Sequence, residues 1–240
     1  MCVSTLGPGA VNLLLGLANA ALDRSPVLAL TAQLSTAVEQ DLPHQRLPLT
    51  RIFGAICKHS AILDGRGTEE VVEGCFQLAA SPPYGPVHLA LPSDLATMEV
   101  LPGGSSLAVE AGPPEGQGAL LEEIRAMLDE ARRPLLVAGM GCLPRDVPFV
   151  RRFVEEKRIP FVVTPKAKGT LPEDAPGFLG VVGGMALDRV MLEILEEADF
   201  LLGVGFDPVE CDKPWFVGRR IANLSRWRTA GGGYEPVESI

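Results

Sequence analysis

The sequence predicts an α/β protein with mostly parallel sheets. Two observations lead to this prediction: strand-like and helix-like segments alternate along most of the 240 residues, and glycine-containing turns follow several of the strands. Hydrophobic residues make up 47% of the chain, enough for packed cores, whereas aromatic residues make up 5%. We therefore expect strands rich in Val, Leu and Ala.

The elements expected in the first 100 residues begin abruptly. In chain order they are a strand end at 2–5, a tight turn at 6–9, a helix at 10–22, a strand at 27–31, a helix at 68–80 and a strand at 86–92. Both full strands are apolar on both faces, as in buried parallel sheets. Thr68 is expected as the N-cap of the second helix, because acidic residues follow it in the first turn. A sheet that starts at a strand end looks incomplete.

The second half of the chain repeats the alternation more regularly. The expected elements are a helix at 119–131, a strand at 134–138, a turn at 139–141, a helix at 146–157, a strand at 159–164, a helix at 185–197 and a strand at 200–204. This order predicts an open doubly wound sheet, which binds ligands at the carboxyl ends of its strands.

A segment rich in Gly, Pro and Ser divides the two halves. It runs over residues 101–118 and is expected to be an interdomain linker. The predicted domains are therefore 1–100 and 119–217, followed by an irregular tail at 218–240.

Composition excludes several classes of protein. The chain has 21 Lys and Arg against 30 Asp and Glu, a net charge of −9, which argues against nucleic acid as a partner. It has no uninterrupted apolar run of about 18 residues and no recognisable signal peptide, so we expect a soluble cytoplasmic protein without membrane contact. Five cysteines lie far apart and form no CxxC pair, which favours free thiols over a metal site.

Two turns are candidates for contact with a cofactor or an anion. In residues 5–12, Gly7 and Gly9 let a ligand approach the backbone, and Pro8 stiffens the turn before a helix N-terminus. In residues 138–142, two glycines match part of a dinucleotide-binding fingerprint. An ordinary turn without a ligand remains an alternative for both.

Other chemically capable residues give no catalytic arrangement. His88 lies inside an apolar strand and is interpreted as a core side chain, whereas His44 and His59 flank a polar loop. Neither Ser4 nor Ser35 belongs to a G-x-S-x-G motif, so a nucleophilic hydrolase has no support. We assign no catalytic residue and no metal ligand.

Three blocks together resemble the thiamine-diphosphate-dependent acetolactate synthase superfamily. They are STLGPGAVNLLLGLANAALDRSPVLALTAQ at 4–33, a block at 76–94 that ends in GPVHLALPSD, and a block at 133–215 that contains RPLLVAGMG, IPFVVTPKAKGTLPEDAPGFLGVVG and EEADFLLGVGFDPVE. The GFDPVE segment is similar to that of catabolic members that work without FAD. The resemblance implies the last part of a pyrimidine-binding domain, followed by a doubly wound central domain with a mostly parallel sheet.

The resemblance also implies a cofactor and its ligands. Thiamine diphosphate would bind between the pyrimidine domain of one subunit and the diphosphate domain of another, and a 2-oxo acid such as pyruvate would be the substrate. Gly7 and Gly9 would shape the turn, Pro8 and Asn12 would line the aminopyrimidine, and Gln33 would face the active-site cavity. The parent enzyme would be a homo-oligomer that uses Mg²⁺; FAD has no support in the sequence.

Two expected parts of such an enzyme have no match. The family's catalytic glutamate precedes the Gly-Pro-Gly turn, and its GDG…N metal motif follows the central domain; after residue 215 the resemblance fades. We therefore expect a fragment of a transferase or lyase that is inactive alone. One alternative is a non-catalytic nucleotide-binding or assembly module, which would use the 139–141 turn with Lys166 and Lys168. The other is one half of a split enzyme, completed by a complementing chain.

Overall fold

The computed structural model describes residues 1–38, 44–103, 117–183, 189–211, 215–216, 218–227 and 237–239. The chain divides into two compact units, Met1–Ala111 and Gly112–Ile240, called here the front unit and the rear unit. Each contains a parallel sheet with helices, which confirms the predicted α/β class. Most of the predicted linker, at 104–116, lies outside the described residues.

The front unit is a four-stranded parallel sheet. Its elements are β1 (Cys2–Ser4), α1 (Pro8–Val11), α2 (Leu14–Leu22), β2 (Val27–Gln33), α3 (Leu49–Gly54), β3 (Ser60–Ile62), α4 (Thr68–Ala79) and β4 (Pro86–Pro92). The strand order is β1-β2-β4-β3. Because successive residues of a strand point to opposite faces, Ala29 of β2 packs with α2 and α3 on one face, whereas Leu28 packs with α4 on the other.

The structure corrects three predictions in the front unit. The helix expected at 10–22 is divided into α1 and α2, because the Leu13 amide donates to Ala10 in a tight turn at 3.0 Å. The N-cap of α4 is Gly67 in a left-handed conformation, so Thr68 is the first helical residue and forms no capping bond. Between β2 and α4, where no helix or strand was predicted, the chain forms α3 and β3.

The rear unit is a six-stranded parallel sheet. Its elements are α5 (Gln117–Glu130), β5 (Pro134–Ala138), α6 (Val147–Lys157), β6 (Phe161–Val163), β7 (Phe178–Val181), α7 (Arg189–Glu197), β8 (Phe200–Val204), β9 (Ile221–Leu224) and β10 (Val237–Ser239). The strand order is β10-β9-β8-β5-β6-β7. One core joins α5 and α6 to the sheet, and a second joins α7 to its opposite face.

The predicted irregular tail is wrong where β9 and β10 form. Ile221 and Ala222 are 3% and 0% exposed, because β9 pairs with β8 and shares its buried environment. β7 was not predicted either. The start of the helix expected at 185–197 falls on residues 184–188, which lie outside the described residues, and α6 begins one residue later than expected. None of the described helices is long and apolar enough to cross a membrane.

Candidate functional site

The turn after β1 requires glycine at its first position. Gly7 has φ 60° and ψ −128°, and it precedes Pro8, the first residue of α1. A Cβ atom on Gly7 would lie 2.8 Å from the carbonyl oxygen of Gln45. Both the backbone conformation and the close approach of Gln45 therefore exclude a side chain at Gly7.

The same turn presents two side chains to the surface. Pro8 and Asn12 are exposed, whereas Ala10 between them is completely buried and anchors α1 to the core. The Ser4 hydroxyl donates to the carbonyl oxygen of Gly9 at 2.7 Å, which connects the end of β1 to the turn. The result is a fixed backbone with Pro8 and Asn12 facing outward.

Gln33, at the end of β2, lines a pocket of about 390 Å³ but is itself 7% exposed. Its Oε1 accepts from the Leu34 amide at 2.9 Å, and its Nε2 donates to the Leu47 carbonyl at 3.4 Å. The side chain therefore joins the end of β2 to the segment before α3. The other residues around this pocket are Arg46, Leu47, Pro48, Leu49, Thr50 and Ile62.

Residues 45–47 connect Gln33 to the glycine turn. Ser4 of β1 pairs with Thr31 of β2, so the chain just beyond β1 lies level with Gln33. Gln45 lies against Gly7, and Leu47 accepts from Gln33. The structure thus brings together all five residues named by the resemblance, Gly7, Pro8, Gly9, Asn12 and Gln33, at the carboxyl edge of β1 and β2. Sequence reasoning missed Gln45, because no local pattern marks a contact that tertiary folding creates.

Asp94 holds the segment that follows β2. It accepts from the Thr36 amide at 3.0 Å and from the Thr36 hydroxyl at 2.5 Å. These hydrogen bonds, the hydroxyl first, lower the pKa of the Asp94 carboxyl below its usual value. The acidic end of the GPVHLALPSD block therefore has a structural role at the same edge of the sheet.

His88 is a core residue, as predicted. It is completely buried, with Nε2 2.9 Å from the Thr31 hydroxyl and Nδ1 2.8 Å from the Ser60 hydroxyl, and its ring stacks on Phe53 at 3.9 Å. Burial lowers the pKa of His88 from 6.5 to about 4, so the ring is neutral at pH 7. The other two histidines lie nearer the surface: His44 is exposed and His59 is half-buried.

The glycine turn of the rear unit has a different reason for its glycines. A Cβ on Gly139 would lie 2.5 Å from the Gly205 carbonyl oxygen and from the Phe206 Cα, and a Cβ on Gly141 would lie 2.9 Å from the same carbonyl. These glycines therefore allow two turns of the chain to pack together. Lys168, which the alternative nucleotide-binding module would use, pairs with Glu173 at 3.2 Å.

No metal cluster is found in the part of the chain that the structure describes: no three His, Cys, Asp or Glu side chains there are grouped to hold an ion. The five cysteines are free thiols, and burial raises the pKa of Cys57 to about 12 and that of Cys75 to about 11.

Two family models match this chain. The N-terminal TPP binding domain of thiamine pyrophosphate enzymes matches residues 1–52, which include the whole glycine turn and Gln33, and the central domain of the same enzymes matches residues 121–222. The chain belongs to the thiamine-diphosphate-dependent, acetolactate synthase-like superfamily. The second match reaches β9, so the resemblance to the superfamily extends beyond residue 215, where the sequence alone suggested that it fades.

The similar proteins are superfamily members of much greater length. The probable acetolactate synthase large subunit of Methanocaldococcus jannaschii is 32% identical over 213 residues, covering 85% of this chain and 36% of that protein. The acetolactate synthase isozyme 2 large subunit of Escherichia coli K12 is 32% identical over 209 residues, covering 85% and 37%. The chain thus spans little more than a third of the length of these relatives.

A solved structure shares the superfamily fold. The thiamine diphosphate-dependent 4-hydroxybenzoylformate decarboxylase of Rhodococcus jostii RHA1 matches with a TM-score of 0.77 at 20% identity, covering 93% of this chain and 44% of that one. At this identity the likeness shows the fold and not the substrate.

Proposed function

We propose that this chain is part of a thiamine-diphosphate-dependent enzyme of acetolactate synthase type. The enzyme removes carbon dioxide from a 2-oxo acid such as pyruvate and joins the remaining unit to an acceptor. The observation that carries the proposal is the turn at Gly7–Asn12, which lies within the match to the N-terminal TPP binding domain and presents Pro8 and Asn12 outward. The printed names of the relatives support the reaction class.

The exposed turn fits one side of a flat heterocycle. Pro8 offers a rigid apolar surface, and the Asn12 amide offers one donor and one acceptor group beside it. The turn requires glycine at positions 7 and 9, because Gln45 lies too close to Gly7, and Thr5 too close to Gly9, to leave room for a Cβ atom. Gln33 and Leu47 hold the adjoining wall. In this proposal the chain binds and orients the aminopyrimidine, and the bound cofactor supplies the carbanion chemistry.

We propose that the remaining catalytic parts lie in the regions of the relatives that these 240 residues do not cover. In the proposal, a catalytic glutamate and a diphosphate-binding domain with Mg²⁺ come from the remaining two thirds of a protein like its relatives, in the same polypeptide, a second copy or a complementing chain. We therefore propose that the 240 residues alone do not turn over pyruvate.

A chimera tests the proposal. Residues 1–240 replace the matched region of the Escherichia coli isozyme 2 large subunit, and acetolactate formation from pyruvate is measured with thiamine diphosphate and Mg²⁺. We expect the chimera to be active and Asn12→Ala to lower kcat/KM about tenfold or more, as loss of one cofactor-orienting contact does. Asn19→Ala is the matched control, because Asn19 is exposed on α2, the next helix along the chain, and its side chain donates to Asp23.

Three results would contradict the proposed function. The first is turnover of pyruvate by the isolated chain, which would refute the need for the missing parts. The second is a folded chimera that shows no saturable binding of thiamine diphosphate, and the third is equal activity of its Asn12→Ala and Asn19→Ala variants. An inactive chimera is therefore still informative, since cofactor binding is measured by calorimetry separately from activity.

A further inference from the structure

The centre of the rear sheet is the place where a doubly wound sheet binds its ligand. β5 and β8 are neighbours, yet the chain leaving β5 continues through α6 to β6 on one side, and the chain leaving β8 continues to β9 on the other. The α6 connection packs on one face of the sheet, whereas Trp215 and Phe216 of the second connection pack on the opposite face. At such a point the loops separate and leave a crevice at the carboxyl ends of the strands.

A carboxylate of the chain itself occupies this crevice. Oε2 of Glu210 accepts from the Met140 amide at 3.0 Å and from the Asp207 amide at 3.3 Å, and Oε1 accepts from the Thr164 hydroxyl. These three donors follow β5, β8 and β6 respectively. The Glu210 carboxylate is therefore bound by groups from three different strand ends.

The Glu210 carboxylate lies against the glycine turn at 139–141. A Cβ on Gly139 would lie 2.8 Å from Glu210 Oε2. Backbone amides at a glycine turn of this kind bind phosphate or carboxylate groups of ligands. Here the Met140 amide already donates to Glu210, and the Gly141 amide donates to Gly205 at 2.8 Å.

The arrangement also places charge where it is costly. Burial raises the pKa of Glu210, the nearby Asp207 raises it further, and the hydrogen bonds from Thr164 and Met140 act in the opposite direction. A buried carboxylate is tolerated when several donors bind it. The hydrogen bond from the Asp207 amide belongs to a local capping box around Pro208–Glu210, whereas the Met140 amide and the Thr164 hydroxyl donate from two other strand ends.

We propose that the backbone amides of Met140 and Asp207 and the hydroxyl of Thr164 form an anion-binding site for a carboxylate or phosphate group. The side chain of Glu210 is the internal anion that closes this site. In the wild-type protein the crevice therefore does not accept the diphosphate of a nucleotide or dinucleotide. Removal of the Glu210 side chain opens a site in which a small free anion takes the place of the carboxylate.

Chemical rescue of Glu210→Ala tests this inference. Thermal unfolding is followed by the fluorescence of Trp215 and Trp227, which lie in the rear unit and are the two tryptophans of the chain. Formate and inorganic phosphate are titrated against chloride at equal ionic strength. We expect Glu210→Ala to unfold at a lower temperature, and formate or phosphate to raise its midpoint saturably by about 4 °C more than chloride does.

The controls separate a vacated site from a general salt effect. The wild type and Glu156→Ala, an exposed residue paired with Arg152, should respond alike to the three salts. Glu210→Gln, which fills the crevice without a charge, should show no specific response to anions. If Glu210→Ala does not fold in chloride, refolding is compared in formate, phosphate and chloride. An equal response of Glu210→Ala to all three salts, in unfolding or refolding, overturns the inference.

Discussion

The buried histidine of the front unit predicts a loss of stability in mild acid. His88 is completely enclosed, with its two ring nitrogens at the hydroxyls of Thr31 and Ser60 and its face on Phe53. Its pKa is about 4 in the folded protein and 6.5 in an ordinary environment. Between pH 6.5 and pH 4, His88 therefore binds a proton in the unfolded chain but not in the folded chain. The stability that is present above pH 6.5 decreases as the pH falls towards 4.

The size of this effect follows from the shift. One pKa unit corresponds to about 1.36 kcal/mol, so the full loss below pH 4 is about 3 kcal/mol, and the loss between pH 7.5 and pH 5 is about 2 kcal/mol. A domain of this size is typically stable by only about 5–15 kcal/mol, so a change of 2 kcal/mol is readily measured.

The assay compares urea unfolding at pH 7.5 and pH 5 for the wild type, His88→Gln and His59→Gln. Hydrogen exchange of peptides from β2 and β4 reports on the front unit, because both tryptophans lie in the rear unit. We expect His88→Gln to be less stable at pH 7.5 but to lose about 2 kcal/mol less than the wild type on acidification. His59→Gln is the control, since its half-buried ring lies outside the network. If His88→Gln loses as much stability as the wild type, another group causes the acid sensitivity and our assignment is refuted.

Three further predictions concern the turn at Gly7, the hydrogen bonds between Asp94 and Thr36, and the core of the rear unit. Gly7→Ala should destabilise the front unit by about 1–3 kcal/mol, because Gly7 has a positive φ. Gly16→Ala is the control: Gly16 lies in open space on α2, so this change should be neutral or stabilise by up to about 1 kcal/mol. Urea unfolding, followed by hydrogen exchange of front-unit peptides, measures both variants, and equal effects would contradict the turn geometry. Asp94→Ala should accelerate hydrogen exchange at the Thr36 amide. Unchanged exchange would show that the hydrogen bonds of Asp94 do not order the segment after β2. Phe161→Ala should cost about 3–5 kcal/mol in urea unfolding followed by tryptophan fluorescence, because the ring is completely buried; a loss below about 1 kcal/mol would mean that the core refills the space.

Fully buried strands were predictable because their sequences are apolar on both faces. The segments expected at 86–92, 134–138 and 200–204 form strands with those bounds. In a parallel sheet covered by helices such segments contact apolar atoms on both sides, so no polar alternation competes with the pattern. Composition and local sequence were sufficient for this part of the fold.

The short strands β3 and β9 were not predicted, because their identity depends on distant partners. β3 contains three residues, and its Ser60 contributes a hydroxyl to buried His88 of the neighbouring strand. β9 contains four residues that follow two arginines, and its first three residues are buried in a sheet where β9 pairs with β8. A window of three or four residues contains too little periodicity to separate a strand from a loop.

The two glycine turns show why the site was only partly predictable. Gly7 is required by its own backbone angle, and the turn leaves Pro8 and Asn12 exposed for a ligand. Gly139 does not have a positive φ; it is required because the Phe206 backbone approaches within 2.5 Å of its Cβ position, and the neighbouring Met140 amide is already bound by Glu210. Glycines in a turn indicate that another group approaches the backbone closely, but they do not indicate whether that group belongs to a cofactor or to the chain itself. The distinction depends on which partner fills the amides, and here this argument favours the front turn as the cofactor contact and the rear turn as a closed site.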